Sequence, residues 1–174
     1  LGLPIVSRLF EVSKLPLDIH LMIADPDRWA PAYAELGCES VTFHLEAAHD
    51  PIGLARKIRG IGSKAAIAIK PDTPFDSVAE LLEEIDMLLI MTVEPGFGGQ
   101  KLIPETIAKI TQARQAMKSS GLSLAIQVDG GVTESNISQL AQAGADVFVA
   151  GSAVFNAENR NLEIAKLREL AHSH

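Results

Sequence analysis

The chain has 174 residues, of which 47% are hydrophobic and 21% are charged, and its formal net charge is −7. These values are typical of one soluble globular domain and disfavour binding to nucleic acid or to an anionic membrane surface. A single cysteine, Cys38, excludes an internal disulfide, and the apolar runs are too short to span a membrane. The opening residues do not resemble a signal peptide, so we expect a cytoplasmic protein, or a plastid one whose transit peptide has been removed.

The first predicted element in chain order is a helix in PIVSRLFEVSKL, residues 4–15. Six short runs follow that are aliphatic or β-branched on both faces, as are the strands of a parallel sheet covered by helices. These predicted strands are Leu17–Ile23, Ser40–Leu45, Ala65–Lys70, Met87–Val93, Leu124–Val128 and Val147–Ala150.

Amphipathic stretches separate these strands and carry helix boundary signals. One predicted helix begins with Asp25 as its cap and Pro26 in its first turn, and ends at Gly37. Another begins at Thr133 and ends at Gly144. The alternation of strands and helices predicts an α/β fold.

The spacing of the strands predicts the architecture. Strand starts lie roughly 23 to 25 residues apart, with one longer gap, and an eight-fold barrel of such units needs at least about 200 residues. We therefore predict that residues 1–174 form a single TIM-barrel domain from which about two N-terminal β/α units are absent. The alternative is a complete six-stranded, doubly wound sheet.

Glycines follow two consecutive predicted strands. In β/α barrels a phosphate commonly binds between the last two strand ends, where backbone N–H groups and a short helix attract it. Glycines permit its close approach because they have no Cβ. Gly130 and Gly131, together with Gly151 and Ser152, fit such a phosphate site, and ordinary turns are the alternative.

A glycine-rich segment, EPGFGGQ at residues 94–100, follows the fourth predicted strand. It is not a Walker A loop, because no Gly-Lys-Ser/Thr follows it. Its glycines indicate a loop that closes over a ligand and excludes water, or else a flexible surface loop.

His20 and Asp129 lie near strand ends, where both would point into a barrel mouth. An imidazole and a carboxylate suit a divalent metal ion, although a hydrogen-bonded core histidine is the alternative for His20. We interpret His44 as a polar residue of the barrel interior. Met22 and Met91 either line an apolar wall of the site or simply pack in the core.

The segments LDIHLMI, FHLEA, MTVEPGFGGQ, VDGGV and VAGSAVF, in this order and spacing, closely resemble the ribulose-phosphate 3-epimerase family. The resemblance covers essentially the whole chain. It implies a (β/α)8 barrel of the ribulose-phosphate-binding type that interconverts D-ribulose 5-phosphate and D-xylulose 5-phosphate. It also implies a small sugar phosphate as the partner, a homo-oligomer, and a divalent metal ion, for which we expect Zn²⁺ with Fe²⁺, Mn²⁺ or Co²⁺ as alternatives.

The resemblance assigns roles to particular residues. His20 and Asp129 match one metal-binding histidine and one metal-binding aspartate, and Asp129 also matches one of two acid/base aspartates. Met22 and Met91 match methionines of the active-site wall. The residues that match substrate and phosphate contacts, besides His20, are Gly96, Phe97, Gly98, Gly99, Gly130, Gly131, Gly151 and Ser152.

The chain departs from the family pattern at its start, where no His-x-Asp-x-Met-Asp-Gly motif is found. That motif supplies the second metal histidine and the second catalytic aspartate. Without it we expect this chain to bind metal weakly and to turn over little. The alternatives are an epimerase for another ketose phosphate such as allulose 6-phosphate, or an inactive phosphate-binding module.

Overall fold

The computed structural model describes residues 2–173 and contains six strands interleaved with helices. The strands are β1 (Asp18–Leu21), β2 (Ser40–His44), β3 (Lys64–Ile69), β4 (Met87–Met91), β5 (Ala125–Asp129) and β6 (Val147–Val149). The helices are α1 (Leu3–Val12), α2 (Pro26–Ala34), α3 (Pro51–Ile61), α4 (Asp76–Ala79), α5 (Ile107–Ser120), α6 (Ile137–Ala143), α7 (Ser152–Phe155) and α8 (Arg160–His172). Short 3₁₀ turns lie at Leu45–Ala47, Leu82–Glu84 and Pro104–Thr106.

All six predicted strands are present, each within a few residues of the predicted bounds. They form one sheet in the order β1-β2-β3-β4-β5-β6, and the pairs β1–β2, β2–β3 and β5–β6 are parallel. This sequential order contradicts the doubly wound alternative, because a doubly wound sheet reverses its strand order at a switch point. The α/β prediction is confirmed.

Residues 2–68, with Leu81–Leu88, form one compact unit, which we call unit 1. Its strand β2 is buried along its whole length, and its core contains Val41, Phe43, Ile58 and Ile67. The edge strand β1 is only partly buried, so the expected burial on both faces is wrong for β1.

Unit 2 comprises Ile69–Glu80 and residues 89–173. Its core contains Ile90, Ile110, Met117, Ile126 and Leu140, all fully buried. Strand β6 is half-exposed, so the expected burial is wrong here too.

The predicted start of α2 and the predicted end of α6 are confirmed, whereas the predicted end of α2 at Gly37 is wrong, because α2 ends at Ala34 with Glu35 as its C-cap residue. The Asp25 carboxylate accepts a hydrogen bond of 3.3 Å from Arg28 N–H, and Pro26 opens α2. Gly144 ends α6 with a φ of 118°. The prediction that this helix begins at Thr133 is wrong, because Asn136 is its N-cap residue and the preceding residues form turns.

One aspartate precedes a strand in each unit and bonds to the neighbouring strand. The Asp86 carboxylate accepts from Ala65 N–H at 2.9 Å, and Ala65 C=O accepts from Asp86 N–H at 2.9 Å. Asp146 makes the same pair of bonds with Ile126, at 2.8 Å each. These contacts lie at the amino ends of the strands, the face of a β/α fold that serves stability rather than catalysis.

Among the residues from 2 to 173, no helix is long and apolar enough to cross a membrane.

Cys38 is buried, as expected for a small core residue, and burial raises the pKa of its thiol.

Candidate active site

In unit 1 the predicted site residues lie at the carboxyl end of β1. His20 is the third residue of this strand and is partly buried, whereas Met22 follows the strand and is 48% exposed. Leu21 lies opposite Phe43 on β2, so His44, the next residue of β2, lies close to the same strand end.

His20 contacts His44 directly. Their Nε2 atoms lie 2.9 Å apart, and the two rings stack at a centroid distance of 5.0 Å. His44 is buried, and its Nδ1 lies 3.3 Å from Oε2 of Glu46, which belongs to the 3₁₀ turn after β2. We call Glu46, His44 and His20 the histidine chain.

In unit 2, Asp129 is the last residue of β5, and its side chain is partly buried. Its backbone carbonyl accepts a hydrogen bond of 2.8 Å from Thr92 N–H. The Thr92 hydroxyl donates to the Gly130 carbonyl at 2.6 Å. Thr92 therefore fixes the backbone on both sides of the Asp129–Gly130 peptide bond.

The two glycines after Asp129 are required by the protein's own backbone. A Cβ on Gly130 would lie 2.8 Å from the nitrogen of Val93, and one on Gly131 would lie 2.4 Å from the nitrogen of Leu102. Their φ angles are 127° and 66°, in the region that side chains rarely adopt. The close approach that the sequence indicated here is thus made by the chain itself, whatever ligand also binds.

Asn136 holds the far side of this turn. Its Nδ2 donates to the Gly131 carbonyl at 2.8 Å, and its Oδ1 accepts from Thr133 N–H at 2.9 Å. These bonds fold residues 131–136 into a compact turn. They explain why α6 begins after Asn136 rather than at Thr133.

The loop at residues 94–100 is bridged by its own glutamine. Gln100 Nε2 donates to the carbonyls of Glu94 and Phe97, at 2.7 and 2.8 Å. Gly96 and Gly99 adopt positive φ angles of 130° and 74°, and a Cβ on either, or on Gly98, would meet no atom within 4 Å. The Phe97 side chain is 84% exposed.

Gly151 and Ser152 follow β6, where Gly151 is the N-cap residue of α7. Both residues are exposed, and a Cβ on Gly151 would meet no atom within 4 Å. Met91, the last residue of β4, is fully buried, in contrast to Met22.

The structure thus brings His20 together with His44, and Asp129 together with the glycine turn. Among the described residues, no group of three or more His, Cys, Asp or Glu is arranged to hold a metal ion. Sequence reasoning missed Glu46, Thr92 and Asn136. The contact of Glu46 with His44 could have been predicted, because only one residue separates them in sequence. The contacts of Thr92 and Asn136 could not, because only the fold brings their partners near.

A solved structure with the same fold is 3-hexulose-6-phosphate synthase from Salmonella typhimurium. The match has a TM-score of 0.70 at 20% identity and covers 98% of this chain and 79% of that one. The molecule is therefore a parallel α/β protein of the same fold class as that synthase.

The sequence comparisons are more specific. Residues 1–155 match the model of the ribulose-phosphate 3-epimerase family. The protein named ribulose-phosphate 3-epimerase from Mycobacterium tuberculosis (strain H37Rv) is 48% identical over 98% of this chain and 75% of its own length. Its namesake from Escherichia coli K12 is 40% identical over 90% of this chain and 70% of its own length. The chain belongs to the ribulose-phosphate 3-epimerase family.

Proposed function

We propose that the protein is an isomerase that interconverts D-ribulose 5-phosphate and D-xylulose 5-phosphate. The observation that carries this proposal is 48% identity over 98% of the chain to a protein named ribulose-phosphate 3-epimerase. The position of Asp129 supports it, because α/β enzymes place catalytic residues at the carboxyl ends of their strands.

Epimerisation inverts the carbon next to the ketone. A base removes the proton at C3 from one face, and an acid returns a proton to the opposite face. We assign one of these two steps to the Asp129 carboxylate. The Thr92 bonds to Asp129 C=O and Gly130 C=O hold the backbone that positions this carboxylate.

A second acid is needed for the other face. We propose that the complete catalytic domain is a (β/α)8 barrel in which about two further N-terminal β/α units supply this acid. The matched region covers 75% of the length of the relative from M. tuberculosis. Sequencing the gene upstream of the codon for Leu1 tests this proposal. The proposal requires a His-x-Asp-x-Met-Asp-Gly segment to be encoded there.

We propose His20 in unit 1 and Asp129 in unit 2 each as a ligand of a divalent metal ion such as Zn²⁺, because imidazole nitrogen and carboxylate oxygen are ligands that zinc prefers. The contact with His44 orients the His20 ring, as partners of metal-binding histidines commonly do. When bound, the ion supplies Lewis-acid stabilisation of the negative charge that develops on the substrate oxygens.

We assign the phosphate of the substrate to Gly151 and Ser152 together with the turn at Gly130 and Gly131. Gly151 is more open than Gly130 and Gly131, because a Cβ there would meet no atom within 4 Å. Gly96, Phe97, Gly98 and Gly99 form a loop that we propose covers the bound sugar, and the exposed Phe97 ring would lose water contact on closure. We propose Met22 as an apolar wall residue in unit 1, where it is 48% exposed, whereas Met91 in unit 2 is 1% exposed and packs in the core.

The test is C3 proton exchange in deuterated water, followed by NMR with ribulose 5-phosphate and, separately, allulose 6-phosphate. We expect the full-length protein to exchange the pentose proton faster, and Asp129→Asn to slow exchange by about 10²- to 10⁴-fold. Asp146→Asn is the matched control, because Asp146 precedes β6 at the opposite end of the strands. Faster exchange of the hexose would redirect the substrate assignment, and no exchange with either would leave a phosphate-binding module.

A further inference from the structure

The glycine-rich loop at residues 94–99 is held by a single side chain. Among residues 2–173, no backbone–backbone hydrogen bond involves this loop. Gln100 Nε2 instead donates to the Glu94 carbonyl at 2.7 Å and to the Phe97 carbonyl at 2.8 Å. A primary amide has two N–H donors, so these two bonds use both of them. Gln100 therefore joins the start of the loop to its middle.

Gln100 is itself fixed to the strand ends of unit 2. Its backbone carbonyl lies 2.9 Å from the position of a Cβ on Gly131, so it packs against the glycine turn. Three residues further on, Ile103 N–H donates to Thr92 C=O at 2.8 Å. Thr92 also bonds to the Gly130 carbonyl, at 2.6 Å. The side chain that holds the loop thus extends from a backbone that the candidate site keeps in place.

The composition of the loop explains why such a contact matters. Three of its six residues are glycines, and a Cβ on Gly96, Gly98 or Gly99 would meet no atom within 4 Å. Packing therefore does not confine these residues, and glycine loses more conformational freedom on ordering than any other residue. A loop that is disordered in the free protein would lose this entropy when substrate binds, which weakens binding.

We propose that Gln100 is a positioning residue that holds residues 94–99 in one conformation before substrate binds, so that the loop covers the sugar phosphate at little entropic cost. The proposal rests on the proposed function for the role of the loop as a cover. Loss of the Gln100 donor group should raise the KM for ribulose 5-phosphate, because the loop is then ordered at the expense of substrate binding. Loss of folded protein would instead lower kcat and leave KM unchanged.

The first test measures ¹⁵N relaxation of the loop glycine amides in the full-length protein without substrate. In wild type we expect order parameters of about 0.8 for Gly96, Gly98 and Gly99, close to those of a rigid backbone. Gln100→Met keeps the length of the side chain but has no donor, so these values should fall below about 0.6. Values below about 0.6 in wild type, or equal values in the two proteins, would overturn the proposal.

The second test compares the epimerisation kinetics of wild type, Gln100→Met and Gln100→Glu with ribulose 5-phosphate. Glutamate has the shape of glutamine, but its ionised carboxylate only accepts hydrogen bonds. We expect both substitutions to raise KM by about 10- to 100-fold and to lower kcat less. The matched control is Gln115→Glu, an identical charge change at an exposed position of α5, which should leave KM unchanged.

Two kinetic outcomes would refute the positioning role. A raised KM in Gln100→Glu but not in Gln100→Met would assign the effect to the added charge. A lowered kcat with unchanged KM in both variants would assign it to loss of folded protein.

The two tests also separate this proposal from the proposed function. Glycine amides that are ordered in wild type and mobile in Gln100→Met would support the role of Gln100 even if the C3 proton does not exchange, and absent exchange would then refute the epimerase assignment alone. Conversely, normal epimerisation by wild type, with loop order and KM unchanged in both Gln100 variants, would refute the role of Gln100 alone.

Discussion

The Thr92 hydroxyl donates a hydrogen bond of 2.6 Å to the carbonyl of Gly130, and both residues are buried. Thr92 follows β4, whereas Gly130 follows the aspartate that ends β5. This bond, with that from Thr92 N–H to Asp129 C=O, ties the proposed catalytic carboxylate to the neighbouring strand end. A threonine within an apolar run thereby determines the geometry of a residue 37 positions away in the printed sequence.

Replacing Thr92 by valine tests this relationship. Thr92→Val keeps the shape of the side chain but leaves the Gly130 carbonyl without the hydroxyl, which should lower the free energy of unfolding by about 1–3 kcal/mol. We also expect slower C3 proton exchange, because the Asp129 backbone loses one of its restraints. Thr92→Ser retains the hydroxyl and should keep most of the exchange rate. Equal exchange rates in the valine and serine variants would contradict the positioning role.

Gly131 and Gly60 should respond in opposite ways to substitution by alanine. A Cβ on Gly131 would lie 2.4 Å from Leu102 N at a positive φ, so Gly131→Ala should destabilise the protein by more than about 2 kcal/mol. Gly60 lies within α3, where a Cβ would meet no atom, so Gly60→Ala should stabilise it by about 0.5–1 kcal/mol. Urea unfolding measures both. A Gly131→Ala protein as stable as wild type would refute the close approach at Leu102.

Asp27 should make stability depend on pH in the acid range. Its burial alone would raise the pKa, but hydrogen bonds from His49 N–H and Asp50 N–H outweigh this, so the pKa of Asp27 lies below its ordinary value. The ionised form therefore stabilises the folded state at pH values above the unfolded pKa of about 3.9. This contribution is lost as the pH falls through the lower folded pKa.

The pH dependence of the free energy of unfolding, compared between Asp27→Asn and wild type, tests whether the pKa of Asp27 is lowered. The wild-type protein should be more stable by about 1 kcal/mol near neutral pH, a value reduced for solvent screening. The difference should shrink as the pH falls below about 4. Glu158→Gln, at an exposed position, controls for the loss of one negative charge. A difference that grows on acidification would contradict the lowered pKa.

Much of the fold could be predicted because the strands are short apolar runs at regular spacing. Strand bounds and sheet class follow from local composition. The start of α6 could not be predicted, because Asn136 uses its side chain to bond Gly131 C=O, a contact that depends on the turn already being formed.

The sequence predicted a close approach to the backbone at the candidate site, but not which atoms approach it. The pair Gly130 and Gly131 indicated a close approach, and the structure has one, but the approaching atoms are those of Val93 and Leu102. Val93 lies 37 positions before Gly130 and Leu102 lies 29 positions before Gly131, so no local pattern could identify them. The contact between His20 and His44 was easier to predict, because parallel pairing places Leu21 opposite Phe43 and so brings His44 near the end of β1.

The last prediction concerns Asp146, whose carboxylate accepts from Ile126 N–H at 2.8 Å and pairs with Arg114. Arg114 also donates to Gly144 C=O at 2.7 Å, so the aspartate and arginine together hold the chain entering β6. Asp146→Ala should lower the free energy of unfolding by about 1–2 kcal/mol, because Ile126 N–H loses its acceptor. Asp146→Asn should lose less, because its amide oxygen can still accept that bond. Since both groups lie at the amino ends of the strands, C3 proton exchange per folded molecule should be unchanged in either variant, and slowed exchange with intact folding would show that this end of the sheet also controls the site.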